Sequence, residues 1–242
     1  ILFLAAYISS KSREMRQWKK MVIPFLFAIP IIVIVGIENL STCIILLAIS
    51  FIMIFVATPL WVPFVVIGLI GVAGAGGLLL TQGYRMERIT VWLDPAASEK
   101  GHQTIQGLYA IGSGGLFGKG LGQSMQKLGF LPEANNDMIF SVICEELGLF
   151  GALCVLALFF ALIWRFMVIA VNAPDLYGSM IVVGVIAHIG IQVFINIAVA
   201  TNTIPNTGIP LPFISYGGSS LVFMLLEMGL VLSVSRYINV KK

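Results

Sequence analysis

The chain has 242 residues, of which 59% are hydrophobic and 10% charged, with a formal net charge of +3 and a mean hydropathy of +1.01. A soluble domain carries about 25% charged residues, so the composition excludes an ordinary soluble globule, and no nucleic-acid partner is expected. The apolar residues come in long, nearly charge-free runs, and about 20 of them suffice for a helix to cross a bilayer.

The first run, Ile1–Ile8, reads as the tail of a helix belonging to a longer chain. No charged leader segment with a cleavage site precedes it. A basic loop follows, with Lys11, Arg13, Arg16, Lys19 and Lys20. Complete spans are then predicted over Val22–Gly36, Thr42–Ala57, Val62–Leu80, Ile139–Trp164, Leu176–Ala200 and Phe213–Ser235. Runs of this length cannot be strands of an outer-membrane barrel, which are about 10 residues long and alternate apolar with polar. Only helices satisfy every backbone group over such lengths in lipid. The expected fold is therefore an all-α, polytopic transmembrane bundle of six complete helices plus one partial helix, forming one domain over residues 1–242.

Positive charge marks cytoplasmic loops. The basic loop at 11–20, Arg165 after the fourth complete helix, and the terminal Arg236, Lys241 and Lys242 all fall on one side when six helices lie between the ends. Three segments then face outward: Glu38–Ser41, Thr201–Pro212 and a long loop over about 82–137. Long structureless loops are uncommon unless functional or disordered. This one carries Trp92, Leu93, Ile105, Leu108, Tyr109, Ile111, Phe130 and Leu131, and is expected to be ordered and folded partly back onto the membrane surface.

Cys43, Cys144 and Cys154 lie in apolar runs without metal spacing and read as packing residues. His102 and His188 have no ligand partner at metal spacing. No metal site is predicted, and a divalent cation is compatible with the sequence without being indicated by it. The third predicted span holds Gly68, Gly71, Gly74, Gly76 and Gly77, which suits close helix packing.

Within the long loop lies Ala110-Ile-Gly-Ser-Gly-Gly-Leu-Phe-Gly-Lys-Gly-Leu-Gly122. It fails the phosphate-loop pattern, which wants Ser or Thr directly after Gly-Lys; here Gly120 follows. Two readings stay open: glycines for tight turns, or backbone amides with Lys119 binding an anionic group. The loop closes on Leu131-Pro-Glu-Ala-Asn-Asn-Asp-Met-Ile-Phe140. Asp137 is either a helix N-cap or a carboxylate whose pKa is raised by apolar neighbours toward general-base use. On spacing alone the cap is the stronger reading. Glu145 and Glu146 follow in the same helix, where intramembrane acids usually face a bundle interior. His188, Gln192 and Asn196 recur at i, i+4 and i+8 on one helix face, as hydrogen-bonding glue or as the polar wall of an outward cavity that Glu227 also faces.

Residues 106–151, with the two loop motifs above and Glu-Glu-Leu-Gly-Leu-Phe-Gly, and the run Ile204-Pro-Asn-Thr-Gly-Ile-Pro-Leu-Pro-Phe-Ile-Ser-Tyr-Gly-Gly-Ser-Ser220, resemble the SEDS family (FtsW, RodA, SpoVE). The resemblance covers essentially the whole chain and implies a ten-helix fold, of which this piece looks like the end of the fourth helix through the tenth. It implies a peptidoglycan glycosyltransferase that polymerises lipid II at the outer face of the bacterial cytoplasmic membrane. Asp137 aligns with the family's catalytic loop aspartate, which reverses the preference for a cap. The leaving undecaprenyl pyrophosphate would be met by Lys119, Lys127, Arg85 and Arg88, with Glu133, Ser215, His188, Gln192 and Asn196 as further substrate-binding candidates. Asn135-Asn136 stand where the family commonly has His-Thr, Met138 replaces Phe, and Glu38-Asn-Leu-Ser-Thr42 departs from Pro-Asp-Leu-Gly-Thr. Gln126-Lys127 and Ala173–Gly178 look more like the FtsW/SpoVE branch than RodA, which implies septal wall synthesis alongside a class B penicillin-binding protein, other division proteins and membrane lipids. Two other readings are a lipid II flippase, which needs a polar path across the full membrane, and a non-catalytic division scaffold.

Overall fold

Apolar runs that must satisfy their own backbone groups become helices, and each predicted run that can be followed does so. The computed structural model describes residues 1–12, 18–58, 68, 83–98 and 101–238. The expected span at 62–80, with four of its five glycines, lies outside the described residues, as do Arg13, Arg16, Lys241 and Lys242. The helices are α1 (Leu2–Ser10), α2 (Trp18–Glu38), α3 (Leu40–Ala57), α4 (Gly83–Leu93), α5 (His102–Gly114), α6 (Ile139–Val171), α7 (Leu176–Ala200) and α8 (Gly218–Arg236). Among the described residues α3, α6, α7 and α8 are long and apolar enough to cross a membrane. This is a polytopic helical membrane protein.

Local chemistry sets the ends. Asn39 caps α3 by accepting from the Thr42 N–H at 3.1 Å, and Asp175 caps α7 by accepting from the Gly178 N–H at 2.7 Å; such caps satisfy amides with no helical partner. The last helix starts later than the apolar run suggests. Residues 213–217 remain outside it, and Phe213 sits at φ 63°. The long loop is ordered, as its apolar content suggested: it contains α4, α5 and two short 3₁₀ turns, Pro95–Ala97 and Gln126–Leu128.

The chain divides into two compact units. The first comprises 1–73, 162–191 and 222–242, with a core that includes Ile8, Met53, Ile54, Val182, Val185, Ile189 and Met224. The second comprises 74–161 and 192–221. Its core cluster joins Leu131, Ala134, Met138 and Val142 to Val199 of α7. Each such buried side chain contributes about 1.5–3 kcal/mol, so the cluster ties the end of the long loop to the start of α6. Gly114, at the end of α5, lies against α6 so closely that a Cβ there would meet the Cys144 carbonyl oxygen at 1.9 Å.

The helix predicted over Ile139–Trp164 runs on to Val171, but it is broken. Gly148 has φ 68° and ψ −167°, a conformation that is not helical. The break leaves carbonyls unpaired before it and amides unpaired after it. The glycine-rich segment fills both sets. Lys119 N–H and Gly120 N–H donate to the carbonyls of Glu145 and Glu146 at 2.9 Å each, while Leu149 and Phe150 N–H donate to the carbonyls of Gly115 and Leu116 at 2.9 and 3.1 Å.

Candidate active site

The candidate site lies in the second unit. Asp137 is 6% exposed, in the turn just before α6. Its main chain is held on three successive carbonyls. Asn135 O accepts from Tyr216 N–H (2.8 Å), Asn136 O from Ser215 Oγ (2.6 Å), and Asp137 O from Asn196 Nδ2 (2.8 Å). Asn196 Nδ2 also donates to Ile209 O at 2.9 Å, and Ser215 Oγ accepts from Leu211 N–H at 2.7 Å. The segment after α7, which contains Ile-Pro-Asn-Thr-Gly, is thereby fastened to the aspartate turn.

The Asp137 carboxylate does not cap α6. Its contacts are a long hydrogen bond from Gln103 Nε2, 3.3 Å to Oδ1, its own backbone N–H and the Asn206 amide. Burial pushes its pKa above the ordinary 3.8, and the nearby Glu133 carboxylate pushes the same way; the hydrogen bonds only partly offset them. Both upward effects act by disfavouring the charged form.

A cleft of about 450 Å³ opens beside it, lined by Arg88, Trp92, Gln103, Glu133, Asp137 and Asn206, among others. That size lies within the range of small-molecule sites, about 300–1,000 Å³. Its walls are cross-linked. Trp92 Nε1 donates to Asn202 O at 2.9 Å, and Arg88 Nη1 to Asn206 O at 3.3 Å. A chain of amides leads to the carboxylate with a fixed polarity. Gly208 N–H donates to Asn206 Oδ1 (2.9 Å), and a backbone N–H cannot accept, so the other end of that amide carries the NH₂. Asn206 Nδ2 then donates to Gln103 Oε1 (3.0 Å), which turns the Gln103 NH₂ toward Asp137.

Of the residues singled out in the sequence, Asp137, Glu133 and Arg88 line this cleft, while Asn196 and Ser215 hold the aspartate turn from behind. Arg85 lies one turn before Arg88 on α4, with its side chain outside the described residues. The structure does not bring Lys119 and Lys127 to the cleft. Lys119 Nζ pairs with Glu145 Oε1 at 2.7 Å and Lys127 Nζ with Glu146 Oε1 at 2.5 Å. The glycine run does bind anions, but they are the chain's own carboxylates. The shared face of His188, Gln192 and Asn196 also divides by role. His188 Nδ1 meets Glu227 Oε1 at 2.8 Å inside the first unit, Gln192 is buried, and Asn196 serves Asp137. Gln103, Asn206 and Trp92 were not predicted; each is an ordinary loop or helix residue until the fold brings residues about 100 apart in sequence together.

The model of the cell cycle protein family FtsW/RodA/SpoVE matches residues 1–240. The chain belongs to this family. Stage V sporulation protein E of Bacillus subtilis (strain 168) is 48% identical over 98% of this chain and 66% of its own length. A probable peptidoglycan glycosyltransferase FtsW of Geobacter sp. (strain M18) is 35% identical over 97% of this chain and 65% of its own. The chain thus spans just under two thirds of these relatives. A solved chain from work on structural coordination of polymerization and crosslinking by a peptidoglycan synthase complex matches with a TM-score of 0.71 at 27% identity, over 90% of this chain and 62% of that one. In this FtsW/RodA/SpoVE family member the aspartate turn and the Ile204–Ser220 motif, far apart in sequence, are in direct hydrogen-bond contact.

Proposed function

We propose that the protein is a peptidoglycan glycosyltransferase that polymerises lipid II at the outer face of the bacterial cytoplasmic membrane, in septal wall synthesis, with Asp137 as general base. The observation that carries this reading is the state of Asp137. It is a buried carboxylate with a raised pKa, few hydrogen bonds and a clamped backbone, beside a cleft of sugar-sized volume. A general base works best with a pKa near the operating pH and a fixed position.

In the reaction Asp137 takes the proton of the acceptor sugar hydroxyl as that oxygen forms a bond to the donor's anomeric carbon. The bond from that carbon to the pyrophosphate oxygen breaks, and its electron pair leaves with undecaprenyl pyrophosphate. One displacement inverts the anomeric centre. Arg88 in the cleft wall, with Arg85 one turn away, would meet the leaving pyrophosphate; a guanidinium presents paired donors suited to phosphate oxygens. Relatives named as glycosyltransferases support the activity. A class B penicillin-binding protein would crosslink the product, in keeping with the synthase complex among the structural relatives.

The test uses the full-length protein with its penicillin-binding protein, labelled lipid II and a gel readout of polymer. Asp137→Asn keeps the side chain's shape and leaves the three carbonyl contacts intact. Loss of a general base costs about 10²–10⁴-fold in rate, and a folded mutant with wild-type polymer yield would return Asp137 to a structural role.

A further inference from the structure

From 115 to 130 the chain is turned inside out relative to an aqueous loop. Its charges face inward, where Lys119 and Lys127 pair with Glu145 and Glu146. Its large apolar side chains face outward: Phe117 is 82% exposed, Leu121 76% and Leu128 73%, with Leu116, Met125 and Phe130 exposed beside them. An apolar surface of this kind marks an interaction site.

The backbone is equally unusual. From Gly118 to Leu128, all N–H groups but that of Leu121 have a partner within the protein. Carbonyls of Gly114, Glu145, Glu146, Gly120 and Met125 take five of them. The Glu145 and Glu146 carboxylates take those of Gly122, Ser124, Met125 and Gln126, and Ser124 Oγ takes that of Lys127. A loop in water has no need of this, because water satisfies its amides. Non-helical backbone at membrane depth does need it, since an unsatisfied group in hydrocarbon costs several kcal/mol.

The depth is fixed by the helix break. Beyond Gly148 the helix continues unbroken, and Leu149 lies 16 residues before Arg165, the basic residue at the cytoplasmic end, or about 24 Å at 1.5 Å per residue, which leaves Leu149 inside a hydrocarbon core of about 30 Å. The first two amides of this stretch bond to Gly115 and Leu116, so Leu116 and Phe117 lie beside the exposed Leu149 and Phe150 at the start of that span.

We infer that residues 115–130 form a re-entrant segment immersed in the acyl-chain region of the outer leaflet, with phospholipid chains covering its apolar face. The Glu145 and Glu146 carboxylates are what make the insertion feasible, because they take up four of the loop's amides and both of its charges. This inference does not depend on the proposed activity.

The test places nitroxide labels on the full-length protein, with its native cysteines, Cys43, Cys144 and Cys154 among them, changed to Ala, in nanodiscs of phosphatidylcholine and phosphatidylglycerol. Phe117→Cys, Leu121→Cys and Leu128→Cys are compared with Leu158→Cys on the span and Ala96→Cys in the loop. The inference expects oxygen to relax labels at 117, 121 and 128 as it does at 158, with the water-soluble nickel chelate excluded. Nickel access equal to that at 96 would overturn it in favour of an aqueous loop. Exclusion of both reagents would also overturn it, because protein rather than lipid would then cover the face. Phe117→Trp on the natural cysteine background gives a second measurement. Its added fluorescence should be quenched by phospholipids brominated on the acyl chains and not by iodide, and the reverse result would refute the inference.

Discussion

Gly148→Ala tests the helix break directly. The native φ of 68° and ψ of −167° fall in a region essentially reserved for glycine, where another residue costs about 1–3 kcal/mol. A Cβ at this position would also lie 2.4 Å from Gly118 N and 2.6 Å from the Leu116 carbonyl carbon and oxygen. Those atoms are main chain and cannot rotate aside, so the 116–120 segment must move. It carries hydrogen bonds across the break from Lys119 and Gly120 and to Phe150, each worth about 0.5–1.5 kcal/mol net. Losing two of them adds roughly 2 kcal/mol, for a total of about 3–5 kcal/mol. Against a typical stability of about 5–15 kcal/mol, this should lower the unfolding midpoint in detergent micelles markedly. It should also raise hydrogen exchange at the Lys119 and Gly120 amides. A variant within about 0.5 kcal/mol of wild type, with those amides still protected, would refute the argument that the loop is locked into the break.

Glu133 raises the Asp137 pKa by proximity, so Glu133→Gln should move the acid limb of the kcat/KM profile to lower pH, whereas an unmoved limb would mean that another group controls it. The native state also binds the Asp137 proton more tightly than the unfolded chain does. Asp137 therefore makes stability fall as pH rises from 3.8 through the folded value, and Asp137→Asn should remove that fall in a pH series of unfolding midpoints. Asn206→Ala removes its own hydrogen bond to Asp137 and frees the Gln103 amide to turn its oxygen toward the carboxylate; the loss should lower kcat by about tenfold, and an equal kcat would leave the amide chain without a catalytic role. Lys119→Met deprives a fully buried carboxylate of its cation, at a cost of about 2–3 kcal/mol, at or below the low end for a buried pair because the lysine side chain is only partly buried. Adding Glu145→Gln should recover part of this loss, and strict additivity of the two would show the pair to be uncoupled.

Much of this was legible in the sequence because lipid restricts the choices. Once the apolar runs are read as spans, the backbone must be helical, and the predicted Leu176–Ala200 coincides with α7. Composition could not reveal Gly148. It stands between Glu145-Glu146 and Gly151 in a run that otherwise reads as one span, and its conformation is decided by residues 115–120 supplying the missing partners. The same blindness affected Lys119 and Lys127. A cation near glycines suits a phosphate, and only the fold brings Glu145 and Glu146 to them. Asp137 and Arg88 were picked out through the resemblance and Asn206 stood inside a motif without a role, but the cleft also needs Gln103 and Trp92, whose approach depends on tertiary structure with no local signal.

The three acids near the start of α6 separate by what they accept rather than by how deeply they lie. Glu145 is fully buried, and its carboxylate takes five donors: Ser113, Lys119 and Ser124 side chains with the Met125 and Gln126 amides. Glu146 takes Lys127 and the Gly122 and Ser124 amides. Each is paired with a lysine and braced by further donors from the loop, so each serves as a strut. Asp137 is nearly as buried, yet its carboxylate takes only neutral donors, its own N–H, the Asn206 amide and Gln103 at 3.3 Å, with no cation paired to it among the described residues, and the three strong contacts in its turn all go to main-chain carbonyls. The two lysines pair with Glu145 and Glu146, while the groups around Asp137 fix its position and leave its charge without a paired cation. A buried acid arranged so is held in place while remaining able to take a proton, which is the combination a general base requires.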